Sequence, residues 1–241
     1  MATSPPGATW VVLPTYNEAE TIGALVTAIR DRLPEPRRIL VVDDASPDGT
    51  GEIADGLAAA HDDVEVLHRR AKLGLGPAYV AGFQAALDGG AARVVQMDAD
   101  FSHDPDHLPA LLDALSGADL ALGSRYVDGG AVHDWGAGRR AISRLGSRYA
   151  RVALGVEVRD LTGGFKAWRR DALEAIAIED VESVGYAFQV ETTYRALKAG
   201  LRVVEVPIAF RDRRVGASKM SRAIVFEAAW QVPAMRLRRH L

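Results

Sequence analysis

The first 125 residues alternate short apolar segments with segments of helical length, and this alternation constrains the fold more than any other feature. Five segments are rich in Val, Ile and Leu and lack polar alternation: Trp10–Leu13, Ile39–Val42, Val64–Leu67, Val94–Met97 and Leu120–Gly123. Strands of this kind are buried on both faces, as in a parallel sheet covered by helices. The segments between them carry apolar residues at helical spacing: Thr21–Leu33, Gly51–Ala60, Pro77–Leu87 and Pro105–Leu115. The series predicts consecutive β-α-β units.

Local signals also predict where helices begin and how the chain continues. Asn17 and Glu20 have capping-box spacing, and Asp104-Pro105 places a cap before a proline at the first helical position. The pattern loosens after residue 125 into a Gly-rich loop at 128–131, an Arg-rich helix at about 136–153, a turn at 163–164, a helix at 189–199, a strand at 202–206 and a last helix from about 219. We expect one domain over residues 1–241.

Charge divides the chain into an acidic and a basic half. Residues 1–118 contain 8 Lys and Arg against 18 Asp and Glu, a net charge of −10, whereas residues 119–241 contain 21 against 14, a net charge of +7. An acidic half suits a divalent cation and a basic half suits an anionic partner. Nucleic-acid binding is disfavoured, because such a domain is basic throughout and carries a reading helix or an aromatic platform.

Cysteine content and the N-terminal segment indicate the compartment. The chain has no cysteine, which excludes a disulfide framework, thiolate zinc sites and cysteine nucleophiles. The N-terminal segment lacks the pattern of a signal peptide, and no segment approaches the ~18 apolar residues of a membrane span. We therefore expect a cytoplasmic protein that is soluble or lies peripherally on the cytoplasmic face of a membrane.

Polar residues follow the predicted strands at the points where each strand ends. Ligands of open parallel sheets bind at the carboxyl ends of the strands, so these residues are candidates for a site. Asp44 follows an apolar strand, where we expect it to face only a polar ligand or water. Asp98 and Asp100, two residues apart in an extended segment, project to one side and are suited to Mg²⁺ or Mn²⁺. His103 and His107 are interpreted as surface-loop histidines, and the sequence contains no P-loop or dinucleotide motif.

Several segments together resemble the inverting GT-A glycosyltransferases of family 2. That resemblance rests on Pro14–Glu18, Val42–Thr50, Lys72–Gly76, Met97–Pro105 and Gly123–Tyr126. Three further segments are similar to polyprenol-phosphate (dolichol-phosphate) mannose synthases: Asp160–Lys166, Phe188–Glu191 and Phe210–Lys219. The resemblance covers about residues 10–222. It implies an α/β GT-A fold with a Rossmann-like, mostly parallel sheet between helices, with a nucleotide-sugar and metal half at about 8–125 and an acceptor half at about 126–241.

The resemblance also implies an activity and a set of site residues. The enzyme would transfer mannose from GDP-mannose to a polyprenyl monophosphate, using Mg²⁺ or Mn²⁺ and yielding a polyprenyl β-D-mannosyl phosphate and GDP. The donor would contact Pro14, Tyr16, Glu18, Val42, Asp44, Lys72 and Gln189. Metal and diphosphate would lie among Asp98, Ala99, Asp100 and Ser102, the last standing where some relatives have glutamine. Phosphates would be held by Arg125, Arg213 and Lys219, which with Asp100 form the catalytic set, and the acceptor phosphate by Arg139 and Ser143.

Residue types on the acceptor side are consistent with a phosphate nucleophile. Family 2 enzymes that glycosylate a hydroxyl usually carry a Glu-Asp pair before an Arg-Ala-x-x-x-Gly segment, but here Gln189-Val190-Glu191 precedes Arg195–Gly200. A phosphomonoester is already anionic near neutral pH and does not need a strong base. What it needs is cations, and residues 125–151 contain six Arg against two Asp. The Arg144, Arg148 and Arg151 side chains are equally consistent with phosphate binding and with a solvated face. The basic stripe is also suited to acidic lipid headgroups.

Two smaller features complete the prediction. The chain has 25 Arg but only 4 Lys, and three of the four lysines lie in the motif segments: Lys72, Lys166 and Lys219. This placement indicates contacts with phosphate, for which lysine and arginine are not interchangeable. Coincidence among so few lysines is the alternative. The segment 223–241 is apolar on most sides and ends with Arg236, Arg238 and Arg239, so it closes the core or lies on a membrane.

Two other functions remain open. Asp44 could pair with uracil as well as guanine, so UDP-glucose is an alternative donor with the same lipid class. An inactive nucleotide-sugar-binding scaffold is an alternative of a different kind.

Overall fold

Seven strands pair into one sheet among the residues that the computed structural model describes, which are 7–181, 183–211 and 232–236. In chain order the strands are β1 (Thr9–Thr15), β2 (Arg37–Asp43), β3 (Val64–His68), β4 (Arg93–Gln96), β5 (Leu120–Ser124), β6 (Ala131–Val132), β7 (Lys166–Arg169), β8 (Val203–Pro207) and β9 (Ala209–Phe210). The order across the sheet is β3-β2-β1-β4-β7-β5-β8, and β6 pairs with β9 separately. All seven strands are parallel except β7, which runs antiparallel to β4 and β5.

Seven helices connect the strands in the described part of the chain. They are α1 (Ile22–Arg32), α2 (Thr50–Ala60), α3 (Leu75–Asp88), α4 (Leu108–Ala114), α5 (Ala137–Leu154), α6 (Arg170–Ala175) and α7 (Gly185–Lys198), with 3₁₀ turns at Pro105–His107 and Ile178–Asp180. Each of the five strands and four helices predicted in the first half is present within a few residues. The mostly parallel sheet between helices confirms the predicted fold class.

The two faces of the sheet are covered by different helices. Alternate residues of one strand point to opposite faces: Val11 and Leu13 pack with α1, α2 and α4, whereas Trp10 and Val12 pack with α3, α6 and α7. Both sets of side chains are fully buried. This burial explains why the strands carry no polar alternation. A third apolar cluster joins α5 and α7 to Val232 and Met235 near the C-terminus.

One predicted helix cap is wrong and one is confirmed. Helix α1 begins at Ile22 with Thr21 as its N-cap, and no side chain caps it, so Asn17 and Glu20 do not form a capping box. Asn17 instead adopts a left-handed conformation, with φ at 60°. Asp104 does cap the turn after it, since its carboxylate accepts a hydrogen bond from the N–H of Asp106 at 3.0 Å.

Strand β7 is the strand of the central sheet that the sequence pattern did not reveal. It contains only Lys166-Ala167-Trp168-Arg169, and two of its four residues are charged. Lys166 is nevertheless fully buried, because the strand lies between β4 and β5 in the middle of the sheet. The insertion brings the segment before β7 to the same edge as the carboxyl ends of the parallel strands.

Candidate active site

The candidate site lies along the edge where β1, β2, β4 and β5 end and β7 begins. The loops after β1 and β2 are tied together by backbone N–H groups of one loop that donate to side chains of the other. The Asn17 N–H donates to Ser46 Oγ at 3.1 Å, the Glu18 N–H to Thr50 Oγ1 at 3.0 Å and the Ala19 N–H to Asp48 Oδ2 at 3.1 Å. Asp48 also accepts from the Thr50 N–H, as expected for a turn before a helix. The two loops therefore form one rigid wall of the site.

Asp44 lies on this wall, but it does not face only a ligand or water as predicted. Its buried carboxylate forms an ion pair with Arg69 and accepts the N–H of Leu73 at 3.3 Å. The neighbouring Lys72 ammonium lies 3.7 Å from the centre of the Tyr16 ring. These contacts connect the loop after β3 to the loops after β1 and β2. Of the other residues predicted to contact the donor, Pro14 and Glu18 are half-buried and Val42 is buried in β2.

Asp98 and Asp100 follow β4 and have different surroundings. Asp98 accepts a hydrogen bond from the Tyr79 hydroxyl at 2.8 Å, and its side chain is 34% exposed. Asp100 is buried and accepts the Ser102 N–H at 3.0 Å, in a loop that turns sharply at Phe101, whose φ is 60°. Burial, and then the charge of Asp98, raise the pKa of the Tyr79 hydroxyl well above its ordinary value. Both carboxylates follow β4, and Asp100 contributes to that rise as well.

The donor set at this place fits a hard divalent cation with substrate phosphates. The described residues contain no cluster of three or more Asp, Glu or His that could enclose a metal ion by themselves. Two carboxylates with remaining positions for phosphate oxygens are how Mg²⁺ and similar ions are commonly bound. The prediction that Asp98 and Asp100 hold the ion is consistent with this geometry. Ala99 and Ser102 are buried beside them.

His103 is a part of the site, and its interpretation as a surface residue is wrong. The imidazole is buried, stacks on Phe165 with ring centres 4.9 Å apart, and its Nδ1 accepts the Asp98 N–H at 3.0 Å. Burial lowers the pKa of His103, so the ring is neutral and carries its proton on Nε2. His103 therefore holds the backbone of the Asp98–Asp100 loop against β7. His107 is half-buried, and its Nε2 accepts the Ala209 N–H.

Arg125 follows β5 and is held by a buried carboxylate. Its Nε and Nη2 donate to Asp160 at 2.7 and 2.6 Å, and Nη2 also donates to Thr162. The backbone N–H of Arg125 donates to the same carboxylate. The guanidinium lies 5.2 to 5.7 Å from the ring centres of Tyr126, Phe210 and Trp135. Asp160 thus determines where Arg125 lies, a role that the sequence spacing did not reveal.

The predicted acceptor-phosphate residues lie beside this pair. The Arg139 guanidinium stacks 4.2 Å from the centre of the Trp135 ring, and Ser143 Oγ accepts the Tyr126 hydroxyl at 2.7 Å. The Trp135 indole N–H is buried and has no hydrogen-bond acceptor among the described residues. A buried donor without a partner is costly, unless a ligand supplies an acceptor. This corner of the site therefore has donors suited to an anion.

Gln189 and Lys166 connect helix α7 to the sheet at the other side of the site. Gln96 Nε2 donates to Gln189 Oε1 at 2.5 Å, deep in the interior. The suggestion that Lys166 contacts phosphate is wrong, because its ammonium is fully buried and donates to the Gln189 carbonyl and Thr192 Oγ1. Burial lowers the pKa of Lys166 to about 7.

Glu191 does not serve as a replacement for the missing base. Its carboxylate is fully buried, accepts the Ser183 hydroxyl and pairs with Arg195 at 2.8 Å. These contacts fix the segment before α7 to the helix. Arg213, Lys219, Arg238 and Arg239 lie outside the described residues, so their predicted roles stay predictions, whereas Arg236 donates to the Ala153 carbonyl.

Comparison with known proteins identifies the family. A model of "Glycosyl transferase family 2" matches residues 10–177. The undecaprenyl-phosphate mannosyltransferase of Micrococcus luteus is 50% identical over 221 residues, covering 92% of this chain and 90% of the relative. The polyprenol monophosphomannose synthase of Mycolicibacterium smegmatis is 48% identical over 235 residues, covering 97% and 88%.

Solved structures confirm the fold at lower sequence identity. Glucosyl-3-phosphoglycerate synthase from Mycobacterium tuberculosis, in a complex with Mn²⁺, UDP and phosphoglyceric acid, superimposes with a TM-score of 0.70 at 23% identity, covering 97% of this chain and 78% of that one. The same enzyme with Mn²⁺, UDP-glucose and glycerol 3-phosphate gives a TM-score of 0.66 at 22% identity, covering 96% and 79%. The shared architecture is the GT-A fold.

Replacing His103 tests its position beneath the Asp98–Asp100 loop. His103→Ala leaves the Asp98 N–H without an acceptor and opens a cavity against Phe165. We expect a loss of about 2–4 kcal/mol in the free energy of unfolding, from the unpaired donor and the lost packing. Urea denaturation measures it. His133→Ala is the matched control, because His133 is exposed; equal stability of the two variants would place His103 at the surface after all.

The buried ammonium of Lys166 predicts a pH dependence of stability. Its pKa is about 7 in the native protein and 10.5 when unperturbed. Between these values the unfolded chain binds more protons than the native chain, so the free energy of unfolding rises with pH. In Lys166→Met this contribution is absent, and denaturant titrations from about pH 7 to pH 9.5 are expected to show a shallower rise. Lys198→Met, at an exposed lysine, retains the slope of the unmodified protein; an unchanged slope in Lys166→Met contradicts the assignment.

Proposed function

The chain belongs to glycosyl transferase family 2, and we propose that it transfers mannose from GDP-mannose to a polyprenyl monophosphate. The observation that carries the proposal is the corner formed by Arg125, Arg139 and the Trp135 N–H, which has no acceptor among the described residues. Relatives that are 48–50% identical over about nine-tenths of both chains are named for mannose transfer to undecaprenyl or polyprenol phosphate. The products would be GDP and a polyprenyl mannosyl phosphate.

The absence of a base at the expected place supports a phosphate nucleophile. Glu191, the one carboxylate in the segment that replaces the Glu-Asp pair, is buried and paired with Arg195. A phosphomonoester needs no deprotonation of a hydroxyl, because its second pKa lies near ~6. Arg139, Ser143 and the Trp135 N–H would bind its oxygens and orient one of them towards the anomeric carbon. Attack from the face opposite the diphosphate inverts that carbon and gives a β-linked mannosyl phosphate.

The donor half would hold GDP-mannose along the wall formed by the loops after β1 and β2. Asp44 is proposed to contact the base or the ribose, with the Arg69 ion pair fixing its orientation. Lys72 and Tyr16, in contact with each other, would cover the nucleotide, and Gln189 would line the sugar side.

Asp98 and Asp100 would hold a divalent cation, Mg²⁺ or Mn²⁺. Such an ion neutralises the diphosphate as its charge grows in the transition state. The residues of this chain supply the position of the two carboxylates: the Ser102 N–H orients Asp100, and His103 supports the backbone of Asp98. Arg213 and Lys219, from the matched motif, are proposed from the sequence alone as further phosphate contacts.

The lipid acceptor implies a peripheral position at a membrane, and α5 has a surface suited to it. Four large apolar side chains of α5 are exposed at helical spacing: Ile142 (55%), Leu145 (63%), Tyr149 (45%) and Val152 (69%). A helix with such a stripe beside arginines lies in the interface of an anionic bilayer. Among the helices in the described residues, none is both long and apolar enough to span a membrane.

Nucleotide preference tests the proposed donor. We expect isothermal titration with Mn²⁺ present to show that GDP binds at least about tenfold more tightly than UDP, a difference of roughly 1.4 kcal/mol. A clear preference for UDP would remove the mannose assignment and support UDP-glucose.

One variant tests the proposed metal site, and a second variant is its matched control. Asp100→Asn removes one proposed ligand, and we expect it to abolish the increase in GDP affinity caused by Mn²⁺. Asp113→Asn makes the same change at an exposed position and retains the full increase. If Asp100→Asn retained it too, the metal would be bound elsewhere.

A further inference from the structure

A pocket of about 310 Å³ lies beside α5 and is lined mainly by arginines. Its walls come from α5, from the loop after β5 and from the segment between α5 and β7. The lining residues are Arg125, Tyr126, Val127, Gly130, Arg144, Arg148, Arg151 and Arg159. The donor residues Asp44, Asp98 and Gln189 do not line it, and neither do Arg139 and Ser143. Arg125 is the one lining residue with a role proposed above, whereas Arg144, Arg148, Arg151 and Arg159 have none.

The carboxylates around this pocket are mostly committed elsewhere. Asp160 is buried against Arg125, and Glu205 accepts the backbone N–H groups of Arg159 and Asp160 at 2.8 and 2.9 Å. Asp128 is fully exposed and approaches Arg159 only at 3.9 Å, a distance at which an exposed pair contributes little.

Three arginines of the pocket have no carboxylate partner within the described part of the chain. Arg144, Arg148 and Arg151 form no ion pair with any residue in the described ranges, although Arg144 lies 5.9 Å from the centre of the Tyr126 ring. Because these guanidinium groups line one pocket without a paired carboxylate among the described residues, an anion between them is electrostatically favoured. Their planar donors match phosphate oxygens, and arginine binds phosphate with two hydrogen bonds at once.

We propose that this pocket is a second anion site, which binds a phosphate group separately from donor and acceptor. A phosphate group could come from the headgroup of an anionic phospholipid or from free phosphate in solution. The exposed apolar stripe of α5 borders the arginine face of the same helix, as its residues alternate along the sequence with Arg144, Arg148 and Arg151. This arrangement makes the lipid headgroup the expected source, a choice that rests on the membrane position proposed above. The anion site itself does not depend on it.

Titration with inorganic phosphate tests the site directly. The protein is first saturated with GDP to occupy the donor site, and the Nε–H resonances of Arg148 and Arg159, which lie outside the proposed acceptor corner, are then followed by NMR as phosphate is added. We expect saturable shifts, and binding that is at least about tenfold weaker in Arg148→Ala/Arg159→Ala, from the loss of charge-assisted hydrogen bonds. The matched control is Arg140→Ala/Arg169→Ala, which removes the same charge from α5 and from β7 outside the pocket. It is expected to bind phosphate within about twofold of the unmodified protein.

Vesicles separate the two sources of phosphate. Cosedimentation with phosphatidylcholine vesicles is compared with and without phosphatidylglycerol. Binding that needs phosphatidylglycerol and is lost in Arg148→Ala/Arg159→Ala assigns the site to a headgroup, whereas phosphate binding without that effect assigns it to free phosphate. The proposal is overturned if phosphate shifts neither the Arg148 nor the Arg159 resonance, if GDP prevents the shifts, or if the control variant loses as much affinity as the pocket variant. GDP affinity, measured separately, reports on the proposed enzyme function and not on this pocket.

Discussion

The buried ion pair between Arg125 and Asp160 is the contact on which the described chain after β5 depends for its arrangement. Asp160 receives three hydrogen bonds from Arg125, two from the guanidinium and one from the backbone. Glu205 of β8 holds the backbone of Asp160, and Ser147 of α5 reaches Thr162 beside it. One pair therefore fixes the loop after β5, helix α5 and the segment before β7. Breaking such a pair leaves an uncompensated buried charge, which is strongly destabilising.

The same pair connects the two sides of the candidate site. Its guanidinium lies among Tyr126, Trp135 and Phe210, and the Trp135 ring in turn carries the Arg139 guanidinium. The segment that contains Asp160 continues through Gly164, at which an added Cβ would lie 3.3 Å from His103 and from Gln189. The cationic corner and the carboxylate loop are thus joined by one closely packed connection, the segment before β7.

Hydrophobic periodicity predicted the parallel strands and helices of the first half, because burial on both faces of a sheet leaves a pattern in the residues themselves. It did not predict β7, since a four-residue strand with a buried lysine has no such pattern. The position of Asp98 and Asp100 at a strand end was likewise predictable from residue type and order.

Other parts of the site depend on contacts between residues distant in sequence. Arg125 and Asp160 are 35 residues apart, and Asp44 and Arg69 are 25 apart. His103 was misinterpreted as exposed, because the sequence gives no sign that Phe165 covers it.

The most direct test of the proposed function is product analysis after incubation with GDP-mannose, Mn²⁺ and a short polyprenyl phosphate. We expect a β-linked mannosyl phosphodiester by ¹H and ³¹P NMR; an α-linked product, or no phosphodiester while a UDP-sugar is consumed, would contradict the proposed function.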